Sequence, residues 1–259
     1  MHTIKNIVLI SASILATTAF AQKTEVYSNS LAKFDTALSL YQEKQYLAAQ
    51  IMFEQVKETS VSEETKTDAE FYIANCAIRL NQPNADILME DFVANNPTST
   101  KQNQAYTGVA HYYFEQANYP KALQYFDKID ESALTYEELE KYNFQKGYCY
   151  FSSKNKKEAI NYFNKVANSG EYGSQAKYYL GFMAYDNDNY KEANTYFDQV
   201  SGEEKYKEKL SYFQADMNFK LGNFKKAIEL GIAAMPKSNA QEKSELNKII
   251  GESYFNLKQ

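Results

Sequence analysis

The stretch NYPKALQYFDKI, residues 118–129, recurs along the chain, and a sequence that repeats at a fixed period is committed to a repeating architecture. NKKEAINYFNKV (155–166) and NYKEANTYFDQV (189–200) share its frame closely, and QYLAAQIMFEQV (45–56), NQPNADILMEDF (81–92) and NFKKAIELGIAA (223–234) share it loosely. The fifth residue of each is alanine: Ala49, Ala85, Ala122, Ala159, Ala193 and Ala227, at successive spacings of 36, 37, 37, 34 and 34 residues. A period in the thirties predicts a stack of supersecondary units, each burying against its neighbours a face that it cannot bury alone.

Each column of the frame has a physical role. The first, Gln45, Asn81, Asn118, Asn155, Asn189 or Asn223, is an amide residue ahead of an apolar-periodic run, which suits an N-cap that satisfies one of a helix's unpaired first amides. Glu158 and Glu192 stand three residues beyond their caps, where a capping box places them. The alanine, the residue four later (Phe53, Met89, Phe126, Phe163, Phe197, Gly231) and the residue seven later (Val56, Phe92, Ile129, Val166, Val200, Ala234) fall on one helical face, which must be buried. Twelve residues before the alanine stands Ala37, Ile73, Ala110, Gly147, Gly181 or Ala215, small in all but one case, inside a second amphipathic run. A small side chain there lets two helix backbones approach, so each unit reads as an antiparallel hairpin of a leading and a trailing helix.

These residues resemble the tetratricopeptide repeat (TPR). Ala110, Tyr113, Tyr119, Ala122, Phe126 and Ile129 follow its pattern of small, aromatic, tyrosine, alanine, aromatic and apolar positions; Gly181, Tyr190, Ala193, Phe197 and Val200 do so too, and Pro97 takes the closing proline. Ile73 and Gly231 break their columns, Pro236 comes early and tryptophan is absent, which leaves the register of the second and sixth units open. The resemblance covers nearly the whole chain after Gln22. It implies an all-α fold: a right-handed α-solenoid of about six hairpins, near 29–57, 66–97, 102–130, 137–168, 174–200 and 205–236, plus one additional helix at 241–259. Gly251 and Tyr254 fit that last segment as a leading helix. With Leu246, Ile249, Ile250, Phe255 and Leu257 apolar, it reads more readily as the middle of a longer array than as a polar cap.

The residues ahead of the array are of another kind. Lys5, the apolar run from Ile7 to Ala16, and Ala19-Phe20-Ala21 before Gln22 have the layout of a secretory signal peptide cleaved after Ala21, with 22–28 as a short linker. The apolar run falls short of the ~20 residues that a membrane-spanning helix needs. No cysteine follows the cleavage site, which excludes a lipoprotein anchor there. The mature chain is expected in the periplasm or otherwise at the envelope.

Chemistry-bearing patterns are missing. His111 is the single histidine after the leader, and no set of Cys, His and carboxylate residues has the spacing of a zinc site. Cys76 and Cys149 fall in leading helices two repeats apart, on the order of 20 Å, beyond disulfide reach, so two buried free thiols are expected. No nucleophile elbow, Walker loop or dinucleotide fingerprint occurs, so the chain reads as non-enzymatic, with no catalytic residue, metal or cofactor. The carboxylates of Asp130–Glu138 read as the start of a helix near Tyr136, where negative charge meets the positive end of the dipole. A net charge of −5 offers no basic surface for nucleic acid or anionic lipid, and a single arginine, Arg79, argues against a phosphate or carboxylate ligand.

What remains is the face of the leading helices, which in the TPR family lines a concave groove. The resemblance carries that lining to three columns. Fifteen residues before the alanine stand Phe34, Glu70, Thr107, Phe144, Tyr178 and Tyr212; eleven before it, Leu38, Ala74, His111, Tyr148, Phe182 and Asp216; eight before it, Tyr41, Ala77, Phe114, Phe151, Tyr185 and Phe219. The aromatic members and His111 are the candidate partner-binding residues, since large rings anchor peptides at low entropic cost. In the last column, packing between hairpins accounts for the rings equally well. The Lys and Asn clamp with which some family members hold chaperone tails is absent. The sequence therefore reads as an exported scaffold that binds a protein or peptide segment in its groove, in envelope assembly or secretion complexes. It resembles the TolA-binding and outer-membrane-assembly types in the stretch DFVANNPTS, 91–99. The alternative is glycan binding, since aromatic tracks also stack on sugars.

Overall fold

The computed structural model describes residues 29–258; the expected signal peptide, 1–21, and the expected linker, 22–28, lie outside the described residues. Within that span the chain is helical, with no strand among the described residues. Leading helices α1 (29–42), α3 (Glu63–Arg79), α5 (Gln102–Glu115), α7 (Tyr136–Ser152), α9 (Gly173–Asp186) and α11 (Glu204–Lys220) alternate with trailing helices. The trailing helices are α2 (Tyr46–Thr59), α4 (Ala85–Asn95), α6 (Tyr119–Phe126), α8 (Lys156–Val166), α10 (Tyr190–Val200) and α12 (Phe224–Ala234), and α13 (Ala240–Asn256) follows. Single 3₁₀ turns, Glu131–Ala133 and Met235–Lys237, precede α7 and α13. The chain forms two compact units, one up to Asp130 with α1–α6 and one from Glu131 with α7–α13.

Each hairpin closes on its alanine. Ala49, Ala85, Ala122, Ala159, Ala193 and Ala227 are fully buried, and so are Phe53, Met89, Phe126, Phe163 and Phe197 four residues on. The small residue of the leading helix is the notch for that ring. A Cβ on Gly181 would stand 2.5 Å from Cε1 of Phe197, and one on Gly147 would stand 3.1 Å from Cδ1 of Phe163. Packing at this density leaves no room for a methyl group at Gly181 unless the ring moves.

The turn inside each hairpin is a Schellman motif. Seven residues after the small residue, Lys44 (φ 62°), Asn81 (51°), Ala117 (55°), Lys154 (60°), Asp188 (57°), Gly222 (77°) and, at the end of α13, Lys258 (59°) are left-handed. The next amide reaches back five residues, as in Asn155 N to Tyr150 O and Asn189 N to Ala184 O, both 2.9 Å. This explains a departure from the expected caps. Asn118, Asn155 and Asn189 do accept from the amide three residues on, but Glu158 and Glu192 close no capping box, because the N-cap amide already donates to the preceding helix. The reciprocal boxes occur where that amide is free, at Thr135 with Glu138 and at Asn239 with Glu242. Gln45 and Asn223 make no side-chain cap.

The second hairpin corrects the register read from sequence. Its small residue is Ala74, 1% exposed, not the half-buried Ile73: Ala69, Cys76 and Ala77 are buried five before and two and three after it, as Ala176, Met183 and Ala184 are about Gly181. The turn beyond Asn81 is one residue short, so Asn81 takes the left-handed place rather than the N-cap, and α4 starts at Ala85 behind Asn84. The groove columns there hold Phe71, Asn75 and Ile78 instead of Glu70, Ala74 and Ala77. In the sixth hairpin the register holds. Gly231 is buried, and Ile250 of α13 takes the place of the missing ring, its Cγ1 3.0 Å from where a Cβ would be.

Candidate partner-binding face

A ring two residues before the small residue organises this face, and it recurs as Tyr72, Tyr179 and Phe213. Each lies against the buried ring of the preceding trailing helix: Tyr72 stacks on Phe53 at 4.8 Å, Tyr179 on Phe163 at 5.3 Å, and Phe213 meets Phe197 at 6.2 Å. Each also touches the candidate rings of the preceding leading helix. Tyr72 meets Phe34 (6.0 Å) and Tyr41 (5.2 Å); Tyr179 meets Phe144 (6.4 Å), Tyr148 (5.3 Å) and Phe151 (5.0 Å); Phe213 meets Phe182 (5.9 Å) and Tyr185 (5.0 Å). Aromatic pairs of this kind contribute roughly 0.5–1.5 kcal/mol beyond their area, so the candidate rings hold successive hairpins together. In the third hairpin the slot is filled differently, with Gly108 facing Met89.

The candidate residues divide accordingly. In the first unit Phe34 and Tyr41 converge on Tyr72, Phe114 packs edge-on against Tyr119 at 6.0 Å, and His111 Nε2 sits 2.9 Å from Glu115 Oε1. In the second unit Phe144 is 8% exposed, stacked on Tyr172 at 5.0 Å, and belongs to the core. Tyr178 is stacked on Tyr206 at 5.2 Å, and Tyr212 meets Phe213 at 5.5 Å while its hydroxyl donates to Glu245. Phe219 packs against Phe224 at 6.0 Å. The unit brings Phe144, Tyr148, Phe151, Tyr179, Phe182, Phe213 and Tyr185 into one row across α7, α9 and α11, and all but Phe144 are only half-buried. Tyr72, Tyr179 and Phe213 were not legible as a column, because the same place holds Asp35, Gly108 and Gln145 in the other three hairpins, and the register read from sequence puts Phe71 there in place of Tyr72.

Polar groups on the row are fixed by partners. The Tyr185 hydroxyl donates to Asp216 Oδ2 at 2.5 Å, and Lys220 Nζ lies 2.8 Å from the same oxygen. Burial and then the Asp216 hydrogen bond push the Tyr185 hydroxyl up; burial lowers the Lys220 ammonium, but its bonds to Asp216 and Tyr190 outweigh that and raise it. Cys76 and Cys149 are free and buried, and burial pushes both thiols up to about 12, so neither is a reactive thiolate at neutral pH. Among the described residues no three His, Cys, Asp or Glu side chains converge as metal ligands would, and no helix is long and apolar enough to cross a membrane.

Hairpins in which an alanine, a notch, a buried ring and a left-handed turn recur in register are the TPR fold, and the chain has it. Solved structures agree. The C-terminal part of a TPR repeat-containing protein from Cytophaga hutchinsonii superimposes with a TM-score of 0.63 at 16% identity, over 87% of this chain and 92% of that one. PilF of Pseudomonas aeruginosa gives 0.56 at 17% identity over 87% and 98%, and PilW, a type IV pilus biogenesis factor, gives 0.51 at 18% over 84% and 97%. No protein-family model and no curated protein sequence matches the chain.

Proposed function

We propose that the chain is an exported, non-enzymatic scaffold that holds a protein segment against the ring-lined face of its leading helices, within an envelope assembly or secretion complex. The observation that carries this is the row in the second unit. Rings from three successive leading helices touch in sequence and stay half-buried, so one edge of each is available to a partner while the other is locked in place. Rigid, amphipathic rings of this kind supply contact area at little entropic cost, and a row along a groove suits an extended or helical segment. Support for the envelope setting comes from the leader's layout and from the likeness to PilF and to PilW, a type IV pilus biogenesis factor.

Photo-crosslinking side chains at Tyr148 and Phe182, with controls at the exposed Asn161 and Lys191 of the trailing helices, test the reading. The row positions are expected to capture a polypeptide, and Tyr148→Ala or Phe182→Ala to weaken its affinity by about tenfold or more at unchanged helicity. Capture from the control positions alone, or unchanged affinity, defeats it. Displacement of the polypeptide by a soluble polysaccharide would transfer the face to glycan binding.

A further inference from the structure

Three residues after the alanine, the trailing helices carry Met52, Leu88, Tyr125, Tyr162, Tyr196 and Leu230. All but Leu88 are half-buried, and two of the rings lie on a tyrosine of their leading helix: Tyr125 stacks on Tyr113 at 6.0 Å and Tyr162 on Tyr150 at 5.6 Å. Leu88 is 41% exposed, and beside it a cleft of about 220 Å³ opens between α2, α3 and α4. Ile73, Leu88 and Phe92 give it an apolar wall, and Glu70, Asp91 and Lys57 stand around that wall. Lys57 Nζ lies 3.0 Å from Glu70 Oε1, whereas Asp91 is exposed and makes no hydrogen bond or ion pair among the described residues. Asn95 borders both this cleft and a second one, of about 360 Å³, whose carboxylates are Glu64 and Asp68 of α3. The stretch 91–99 therefore contributes to both. Aliphatic surface also continues onto the outer side of α2 and α4. Two residues after the alanine they expose Ile51 and Ile87, where the later hairpins expose Gln124, Asn161, Thr195 and Glu229.

We propose that the cleft between α2, α3 and α4 receives an arginine side chain from a partner protein, within a segment rich in arginine and aliphatic residues. The stem lies along Ile73 and Leu88 and the guanidinium reaches Asp91 and Glu70. Charge specifies this occupant. Residues 29–130 hold 14 Asp and Glu against 8 Lys and Arg, a net −6, while residues 131–258 hold 18 of each. Of the side chains lining the two clefts, Glu64, Asp68, Glu70 and Asp91 are anionic and Lys57 is the one cation. A guanidinium is more weakly hydrated than an ammonium and presents a planar fork to carboxylates, so it suits a site with an apolar wall and an acidic rim. A second copy of the chain has no such group to offer, since its one arginine, Arg79, lies against the Tyr41 hydroxyl. An anionic lipid surface would be repelled. Nor is the cleft a place that stacking covers: it lies within the array, flanked by the trailing helices of two consecutive hairpins, and a hairpin packs only on its nearest neighbours. The site does not rest on the ring row's binding a partner.

The probe is a fluorescently labelled hexapeptide of alternating arginine and leucine, titrated against the full chain by anisotropy at physiological ionic strength, where attraction to a diffuse net charge is largely screened. Saturable binding is expected. Three changes should each weaken it by about tenfold or more: Asp91→Asn, Leu88→Tyr, which lays over the cleft the ring that the third to fifth hairpins carry, and citrulline in place of arginine, which keeps the shape without the charge. Asp35→Asn, which removes one charge from an exposed position of α1 in the same unit, should leave the affinity unchanged. Asp91 is exposed and without partners, so Asp91→Asn should also leave the helical circular dichroism intact. Absence of saturable binding, equal weakening by Asp35→Asn and Asp91→Asn, or a citrulline peptide that binds as tightly overturns the proposal.

Discussion

Gly147, Gly181 and Gly251 share one column, yet alanine should act on them in opposite directions. At Gly181 the new methyl group would stand 2.5 Å from a fully buried ring, an overpacking that costs about 1–3 kcal/mol and exceeds the gain of about 1 kcal/mol in helix propensity. At Gly147 the 3.1 Å approach makes the two nearly cancel, and at Gly251 only the gain remains. Urea midpoints should therefore fall for Gly181→Ala, barely move for Gly147→Ala and rise for Gly251→Ala. Glu90 makes a second residue-level prediction. Burial pushes its carboxyl up, but hydrogen bonds from Lys121, Tyr113 (2.8 Å) and Tyr125 together outweigh that and hold it below the usual carboxylate range. A depressed folded-state pKa means stability that is present above the unfolded value of about 4.3 and is lost as pH falls through the folded one. The deficit in thermal midpoint of Glu90→Gln should accordingly be full at pH 7 and shrink as pH is lowered below about 4; a deficit independent of pH would show that the network matters by shape alone.

At the level of the element, the hairpin turns are set by geometry against local preference. Left-handed backbone favours glycine or asparagine, yet Lys44, Ala117 and Lys154 adopt it because the two helices they join fix the path between them. Ala117→Gly should thus stabilise the third hairpin by roughly 0.5–1 kcal/mol, and Gly222→Ala should destabilise the sixth by a similar amount, both read from denaturant unfolding. Caps differ in the same testable way. Thr135→Ala removes one hydroxyl that accepts from the Glu138 amide and should cost about 1 kcal/mol, whereas Gln45→Ala, which loses no cap bond, should change little.

Over the whole molecule, seam and surface are built from the same rings, and substitution separates them. Tyr179 touches Phe144, Tyr148, Phe151 and Phe163, so Tyr179→Ala should loosen the second unit by about 2–3 kcal/mol, visible as faster amide exchange in α8 and α9. Tyr148→Ala, one ring further out, should cost less stability. Much of this fold was legible. Alanine at a constant column, rings four residues on and amide caps are local signals, and a 3.6-residue period alone assigns the buried face, so the hairpins, the buried cysteines and the start of α7 at Tyr136 follow from the chain as written. The candidate rings were legible as residues but not in their role. Whether Phe144 is core or Tyr148 is edge depends on Tyr179, which arrives from the next hairpin, and a column containing Asp35, Gly108 and Gln145 advertises no ring. One residue missing after Asn81 likewise rotates the partners of a whole helix without disturbing its periodicity. Sequence determined what each helix must hide, because that is settled within a few turns of its own backbone; which neighbour hides it, and which rings are left at the surface, is settled between segments some thirty residues apart, and only the tertiary packing decides it.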